Sequence, residues 1–342
     1  MSNHFMFIGF IIFMSCLLFL CATVVWFVCW GVARLYHHAM PFASFTYVGL
    51  GIVVLFLVIM LYGYCFGRFQ LRVQQTTYTS DKVPAAFDGY KIVHISDLHL
   101  SSMADSPEFL QRVIDSINAQ QPDFICITGD LVGFGIEEAR PFTDMLLQLR
   151  AKDGVVSVLG NHDFALYNRR LSDAQKEEKV EQLATYQRDV LGWKLLRNQS
   201  FTIARGNDTL QIIGVDNASC KGQGFRTIYR ADLPKAMQTL ASSPSRLIAS
   251  SPFKILLSHD PSHWRAEVLP NTDIPLTLSG HTHAGQMRIF GYPLSSLMFK
   301  ESDGWYEKDG QSLYINTGIG CTLPVRVGVP AEITMITLKK SQ

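Results

Sequence analysis

Five short clusters of carboxylate, amide and imidazole residues each follow directly on an apolar, β-rich run. They are Asp97-Leu98-His99, Gly129-Asp130, Gly160-Asn161-His162-Asp163, Ser258-His259 and Gly280-His281-Thr282-His283. Singly, each has an ordinary explanation: Asp-x-His arises by chance, Gly-Asp is a common turn, His-x-His is often a surface loop, and Asn-His-Asp can be a hydrogen-bonded turn. Together they point to one place, because open α/β sheets gather their ligands at the carboxyl ends of the strands. Convergent carboxylates and imidazoles with no thiolate make a hard oxygen and nitrogen site, suited to manganese, iron, zinc or magnesium. A closed structural site needs four ligands around one ion, and this set holds more, so the chemistry it implies is metal-assisted. Glycines beside three of the clusters allow sharp turns and close backbone approach.

The elements that must position these clusters read as follows. β-rich runs occur at Lys91–Ile95, Phe124–Thr128, Val155–Leu159, Leu210–Val215, Lys254–Leu257, Leu276–Leu278, Leu313–Ile315 and Ile333–Leu338. A helix starts at Ser106 (N-cap) and Pro107 (N1), with Phe109, Leu110, Val113, Ile114 and Ile117 on one face. Further helices are expected over Glu137 to Arg150 and, more polar, over about Ser172 to Val190. From Trp193 onward strands dominate, which predicts sheets packed on each other with helices outside. His94, inside a strand, and His263 read as structural.

The first 69 residues differ in kind. No Lys, Arg, Asp or Glu occurs from Met1 to Ala33, and after Arg34 none returns until Arg68. Phe5 to Trp30 and Phe42 to Gly67 are apolar runs long enough to span a bilayer core of roughly 30 Å. The first lacks the basic start and the short apolar stretch of a cleaved signal. The turn from Arg34 to Pro41 is short, so the pair reads as a hairpin with both ends on one side. Arg68 and Arg72 against Arg34 place the remainder on the cytoplasmic side. Residues 70–88, polar and containing Pro84, read as a linker, and 89–342 as the catalytic domain. A net charge of +1 over 342 residues gives no electrostatic case for nucleic acid as a partner. Of seven cysteines, only Cys126, Cys220 and Cys321 lie outside the apolar runs; they form no CxxC pair or disulfide framework, which favours a reducing compartment.

The ordered series D-x-H, G-D, G-N-H-D, H and G-H-x-H resembles the calcineurin-like metallophosphoesterases over about Lys91 to Leu338. The stretch Ser279 to Gln286, Asn316 to Gly320 and Pro324 to Pro330 are similar to a bacterial branch with N-terminal membrane segments, from which the sequence departs at Ala284, usually glycine. The resemblance implies a four-layer α-β-β-α sandwich behind a two-helix transmembrane hairpin in the bacterial inner membrane. It also implies two divalent metal ions, Mn²⁺ foremost, with Asp97, His99, Asp130 and His283 holding one and Asp130, Asn161, His259 and His281 the other. Asp130 would bridge, and a water shared by the cations would lose a proton and attack phosphorus in line with the leaving oxygen. His162 would stabilise developing charge or protonate the leaving group, with Asp163 orienting its ring.

That branch includes enzymes that hydrolyse the pyrophosphate of UDP-2,3-diacylglucosamine in lipid A synthesis. Because membrane helices favour an amphiphilic substrate, the expected partners are membrane lipids and a phosphorylated, lipid-linked small molecule. The segments Phe164 to Trp193 and Phe290 to Trp305 are candidates for contacting acyl chains. Arg169, Arg170 and Arg326, with Arg226 and Arg230, are candidates for meeting phosphates. A broad phosphodiesterase, a protein phosphatase and a silent membrane scaffold are the competing readings, and oligomeric state is left open.

Overall fold

In the computed structural model, residues 3–168, 170–219, 230–238 and 252–341 are described. Two long helices come first, α1 (Asn3–Leu35) and α2 (Phe42–Cys65). Each is long and apolar enough to cross a membrane. Their outward residues, such as Phe13, Val28 and Leu61, are more than half exposed, an apolar surface too extensive for a helix in water. The helices are antiparallel: Phe7 near the start of α1 stacks on Tyr64 near the end of α2, with ring centroids 5.4 Å apart.

Strands β1 (Leu71–Ser80), β2 (Lys91–Ile95), β3 (Phe124–Thr128), β4 (Val155–Val158) and β5 (Lys194–Leu195) follow. Next come β6 (Gln199–Arg205), β7 (Asp208–Gly214), β8 (Phe253–Leu257) and β9 (Leu276–Ser279). Last are β10 (Arg288–Ile289), β11 (Tyr292–Pro293), β12 (Gly304–Lys308), β13 (Gln311–Ile315) and β14 (Ala331–Lys340). They build two six-stranded sheets, ordered β1-β14-β2-β3-β4-β5 and β12-β13-β9-β8-β7-β6, and a small β10-β11 ribbon. β2 to β5 run parallel, as do β7, β8, β9 and β13.

Period-two alternation explains the layering. In β3, Phe124 and Cys126 face the core between the sheets, together with Leu210, Ile255 and Leu276 of the second sheet. Ile125 and Ile127 face the other way, onto Phe109, Val113 and Ile117 of α3 (Pro107–Ala119). Beyond the second sheet, Ile213, Leu256 and Ile315 meet Leu233, Trp264 and Val268. The result is the four-layer α-β-β-α sandwich.

Two expectations are corrected. Residues 70–88 are not a linker: β1 pairs with β14 in parallel from Leu71↔Ala331 to Ser80↔Lys340. Val73, Thr76, Thr77 and Tyr78 favour a strand, and at the edge of a sheet one side stays polar, which disguised it. The helix expected over Glu137 to Arg150 reduces to α4 (Thr143–Leu146) after two short 3-10 turns. Pro141 lacks an N–H and its ring blocks a continuous helix through that point. The third helix is present as α5 (Asp173–Thr185), capped reciprocally by Ser172 and Gln175.

The hairpin is seated on the domain. Arg68, just beyond α2, is buried and pairs with Asp105, while its Nε donates to the Tyr64 carbonyl at 2.9 Å. Gly63 and Gly67 press against the loop at Val325 to Val327. A Cβ on Gly67 would lie 1.9 Å from the Arg326 carbonyl oxygen, so only glycine fits there.

Candidate metal centre

The five clusters leave the carboxyl ends of β2, β3, β4, β8 and β9 and meet between the two sheets. Close backbone packing makes this possible. A Cβ on Gly160 would fall 2.2 Å from Asp130 Oδ1, and one on Gly280 would fall 1.8 Å from Ser96 Oγ. Asp97, His99, Asp130, His281 and His283 all adopt positive φ, between 38° and 73°. Left-handed backbone is costly for such residues and concentrates where surrounding structure forces side chains inward.

Each carboxylate gives one oxygen to a backbone donor and presents the other to the centre. Asp97 Oδ2 accepts the His281 N–H at 2.9 Å, leaving Oδ1 3.2 Å from His283 Nε2. Asp130 Oδ1 accepts the His162 N–H at 2.8 Å. Its Oδ2 lies 3.6 Å from His99 Nε2 on one side and 3.3 Å from His259 Nε2 on the other. His259 Nδ1 is 2.7 Å from the Thr128 carbonyl, which fixes the ring with Nε2 inward, 3.0 Å from Asn161 Oδ1. His281 Nδ1 lies 3.2 Å from His259 Nε2.

These residues fit a metal. Asp97 Oδ1, His99 Nε2 and His283 Nε2 are buried without a hydrogen-bond partner, an arrangement that costs free energy unless a cation satisfies them. Three sets of ligand atoms converge: Asp97, His99 and His283; His99, Asp130 and His162; and Asp130, His259 and His281. The electrostatics agree. Burial would raise Asp97 and Asp130, but neighbouring imidazoles, led by His283 and His259 respectively, hold both carboxyls low. Burial opposes charging His259, yet the Asp130 carboxylate pushes it up to about 10. A centre that draws a proton so strongly also draws a cation. Burial, then His162 beside it, pulls His99 down to about 3, keeping its imidazole in the neutral form that can bind a cation.

The other predicted residues divide. His162 stands half-buried at the rim, its ring edge-on to His99 at 4.7 Å and against Tyr167 at 4.5 Å. Asp163 does not orient that ring. Its oxygens accept the N–H groups of Asp130, Val132 and Gly160 at 2.8, 3.1 and 2.9 Å, tying the second and third clusters together. Burial and the Asp130 charge push its carboxyl up to about 7. Arg326 does not meet substrate: it is fully buried, and Nη2 donates to the carbonyls of Thr317, Gly318 and Gly320. Arg170 is exposed. Arg230 pairs with Glu177 and lies over the Phe164 ring. Arg169 and Arg226 lie outside the described residues. His94 and His263 are structural, bonded to Thr128 and Ser258.

Sequence reasoning missed four contributors. Tyr167 accepts from Asn161 Nδ2 at 3.0 Å, orienting the amide oxygen inward. Asp260 Oδ2, buried, lies 3.7 Å from His281 Nε2. Phe299 packs edge-on against the same ring. Gly318 lies so near that a Cβ would be 2.9 Å from Asp97 Cβ. Asp260 carried a signal by adjoining His259, and Tyr167, Phe299 and Gly318 fall in segments the sequence singled out for acyl contact or for the family resemblance, though not for these roles.

Strand-end carboxylates and imidazoles converging between two packed sheets are the arrangement of a metal-dependent hydrolase. Residues 90–285 match the family model for calcineurin-like phosphoesterases, and the chain belongs to that family. It is 31% identical over 293 residues to a Bacillus subtilis protein named uncharacterized metallophosphoesterase YkuE, spanning 82% of this chain and 91% of that one. An Aquifex aeolicus metallophosphoesterase is 29% identical over 274 residues, 79% of this chain and 92% of its own. A Danio rerio transmembrane protein with metallophosphoesterase domain is 26% identical over 326 residues, 90% of this chain and 66% of its own.

Proposed function

We propose that this phosphoesterase uses two divalent cations, Mn²⁺ foremost, to hydrolyse a phosphate ester or pyrophosphate on a lipid-linked substrate such as UDP-2,3-diacylglucosamine. Asp97, His99, Asp130 and His283 would hold one cation and Asp130, Asn161, His259 and His281 the other. Asp130 Oδ2, flanked by one imidazole of each group, suits the shared position. Two such cations would acidify a water and draw charge from the phosphoryl oxygens. His162, at the rim with its amide pinned to Asp130, is positioned to steady charge on the leaving oxygen and return its proton.

The observation that carries the lipid reading is where the hairpin sits. Gly63 and Gly67 touch the loop whose Arg326 secures Thr317, Gly318 and Gly320, and Gly318 packs on Asp97 and His283. The apolar helices and the metal ligands are therefore separated by a single loop, and a substrate embedded in a membrane has a short path to the centre. Arg68 and Arg72 against Arg34 support a cytoplasmic domain on a bacterial inner membrane.

The test is product release by detergent-purified protein with Mn²⁺, comparing UDP-2,3-diacylglucosamine with bis-p-nitrophenyl phosphate, alongside Asp130→Asn. Cleavage of the lipid, abolished in the variant, is the expected result. Cleavage of the generic diester alone would replace the lipid reading with a broad phosphodiesterase.

A further inference from the structure

A cavity of about 340 Å³ lies where α1 meets the catalytic domain. Its walls are Phe10 of α1 with Met287, Leu294 and Leu323, and it reaches His281 and His283. Its size is that of a small ligand site. The exposed lining is predominantly apolar, and the two histidines belong to the candidate metal centre; Thr282, Gln286 and Thr322 also line it, but their side chains bond to the Ser302, Leu323 and Val325 carbonyls and to one another. Phe10 stands on a helix whose neighbouring residues Phe5, Ile8, Ile12 and Phe13 are all exposed. The segment that supplies Met287 and Leu294 also carries Phe290, Tyr292 and Leu297, which are 97%, 76% and 84% exposed. One side of the cavity therefore continues into lipid-facing surface and the other into phosphate chemistry.

We propose that this cavity is the subsite for the alkyl part of an amphiphilic phosphate, entered from the bilayer alongside α1 and past the apolar rim at 290–297. The hairpin is then a wall of the substrate site as well as an anchor. An alkyl chain fits better than a sugar or nucleobase, because Thr282, Gln286 and Thr322 direct their polar groups at neighbours within the protein and the rest of the described lining short of the histidines offers carbon. Each buried methylene improves affinity by about fourfold, so binding strengthens with chain length until the cavity is full. This inference rests on the lipid-linked reading and is tested separately from it.

The probe is hexadecyl phosphate bearing a terminal diazirine, bound to full-length Mn²⁺-loaded protein in nanodiscs and irradiated, with labelled peptides located by mass spectrometry. Label is expected on the peptides containing Phe10, Met287 and Leu323, blocked by unlabelled hexadecyl phosphate and not by hexadecanol. In parallel, p-nitrophenyl alkyl phosphates of increasing length should show KM falling with chain length. That dependence should flatten in Phe10→Trp and in Leu323→Trp, which fill the cavity, and persist in Leu55→Trp on the lipid-facing side of α2. Label elsewhere, equal competition by hexadecanol, or an unchanged length dependence in both filling variants would overturn the assignment. If lipid-linked substrates are cleaved yet the label falls elsewhere, the cavity assignment fails and the lipid reading stands. If the cavity is labelled with phosphate dependence but no lipid-linked substrate is turned over, the cavity stands and the lipid reading fails.

Discussion

The metal centre and the hairpin junction are both close-packed, but they are held together by different means. At the candidate centre, side chains are fixed by short polar contacts made within and beside the five motifs: Asp163 on three N–H groups, Asp130 and Asp97 on one each, His259 on the Thr128 carbonyl. At the junction, Phe7, Met60 and Val325 share an apolar cluster, with glycine letting α2 touch the Arg326 backbone. The first arrangement is directional and tolerates almost no exchange of residue type. The second depends mainly on shape, and in its apolar cluster residues of similar volume serve; the two glycines and the Arg68–Asp105 pair are the exceptions. Chemistry is therefore expected to fail abruptly at the centre, whereas damage at the junction should appear first as lost stability.

The sharpest way to break this comparison is Asp130→Asn. Removing the carboxylate that faces both His99 and His259 should reduce turnover to background, a loss of about 10⁴-fold or more, and lower metal content measured by elemental analysis. Retained metal with full turnover would remove Asp130 from its shared role. His162→Ala comes next: turnover should fall roughly 10²–10⁴-fold while metal content holds. Parallel loss of metal would instead move His162 into the ligand set, where its closeness to His99 and Asp130 makes it eligible.

At the junction, Gly67→Val should destabilise by about 2–3 kcal/mol through overpacking, lowering the melting temperature in detergent by roughly 5–10 °C. An unchanged melt would mean that the hairpin is only loosely seated. The smallest effect lies outside both regions and calibrates them. Asp123 is buried at the start of β3; burial would raise its carboxyl, but Lys152 and the Lys91 N–H hold it below its usual range. A lowered folded-state value stabilises above the unfolded carboxylate range and is lost as pH falls through the folded one. Asp123→Asn should therefore cost about 1–2 kcal/mol at pH 7, with the gap to the parent closing below about pH 4. A gap independent of pH would mean that charge plays no part.

Much of the centre was legible because its residues follow strands whose period-two apolar pattern is strong, as in β2, β3 and β8. The layering was legible for the same reason. β1 was not, since an edge strand buries one side only and its Gln74, Gln75 and Thr79 read as polar chain. Arg326 was misread because a buried guanidinium and a substrate-binding one look alike in sequence; here the carbonyls of Thr317, Gly318 and Gly320 surround it. Asp163 was assigned to the wrong partner because the donors it accepts from are backbone N–H groups, those of Asp130 and Val132 on the loop after β3 and that of Gly160 on its own loop, which side-chain identity does not announce.

By itself, the sequence determined the candidate ligand types, their order along the chain, the apolar hairpin and the alternation that builds two sheets, since all of these are set by residue identity and local spacing. Tertiary structure alone decided which oxygen of each aspartate faces the centre, that β1 closes the first sheet, and that Phe10 comes to line one cavity with His281 and His283. Those outcomes depend on contacts between residues up to about 270 positions apart, and the geometry that brings such residues together is a property of the packed sheets and helices, carried by no single segment.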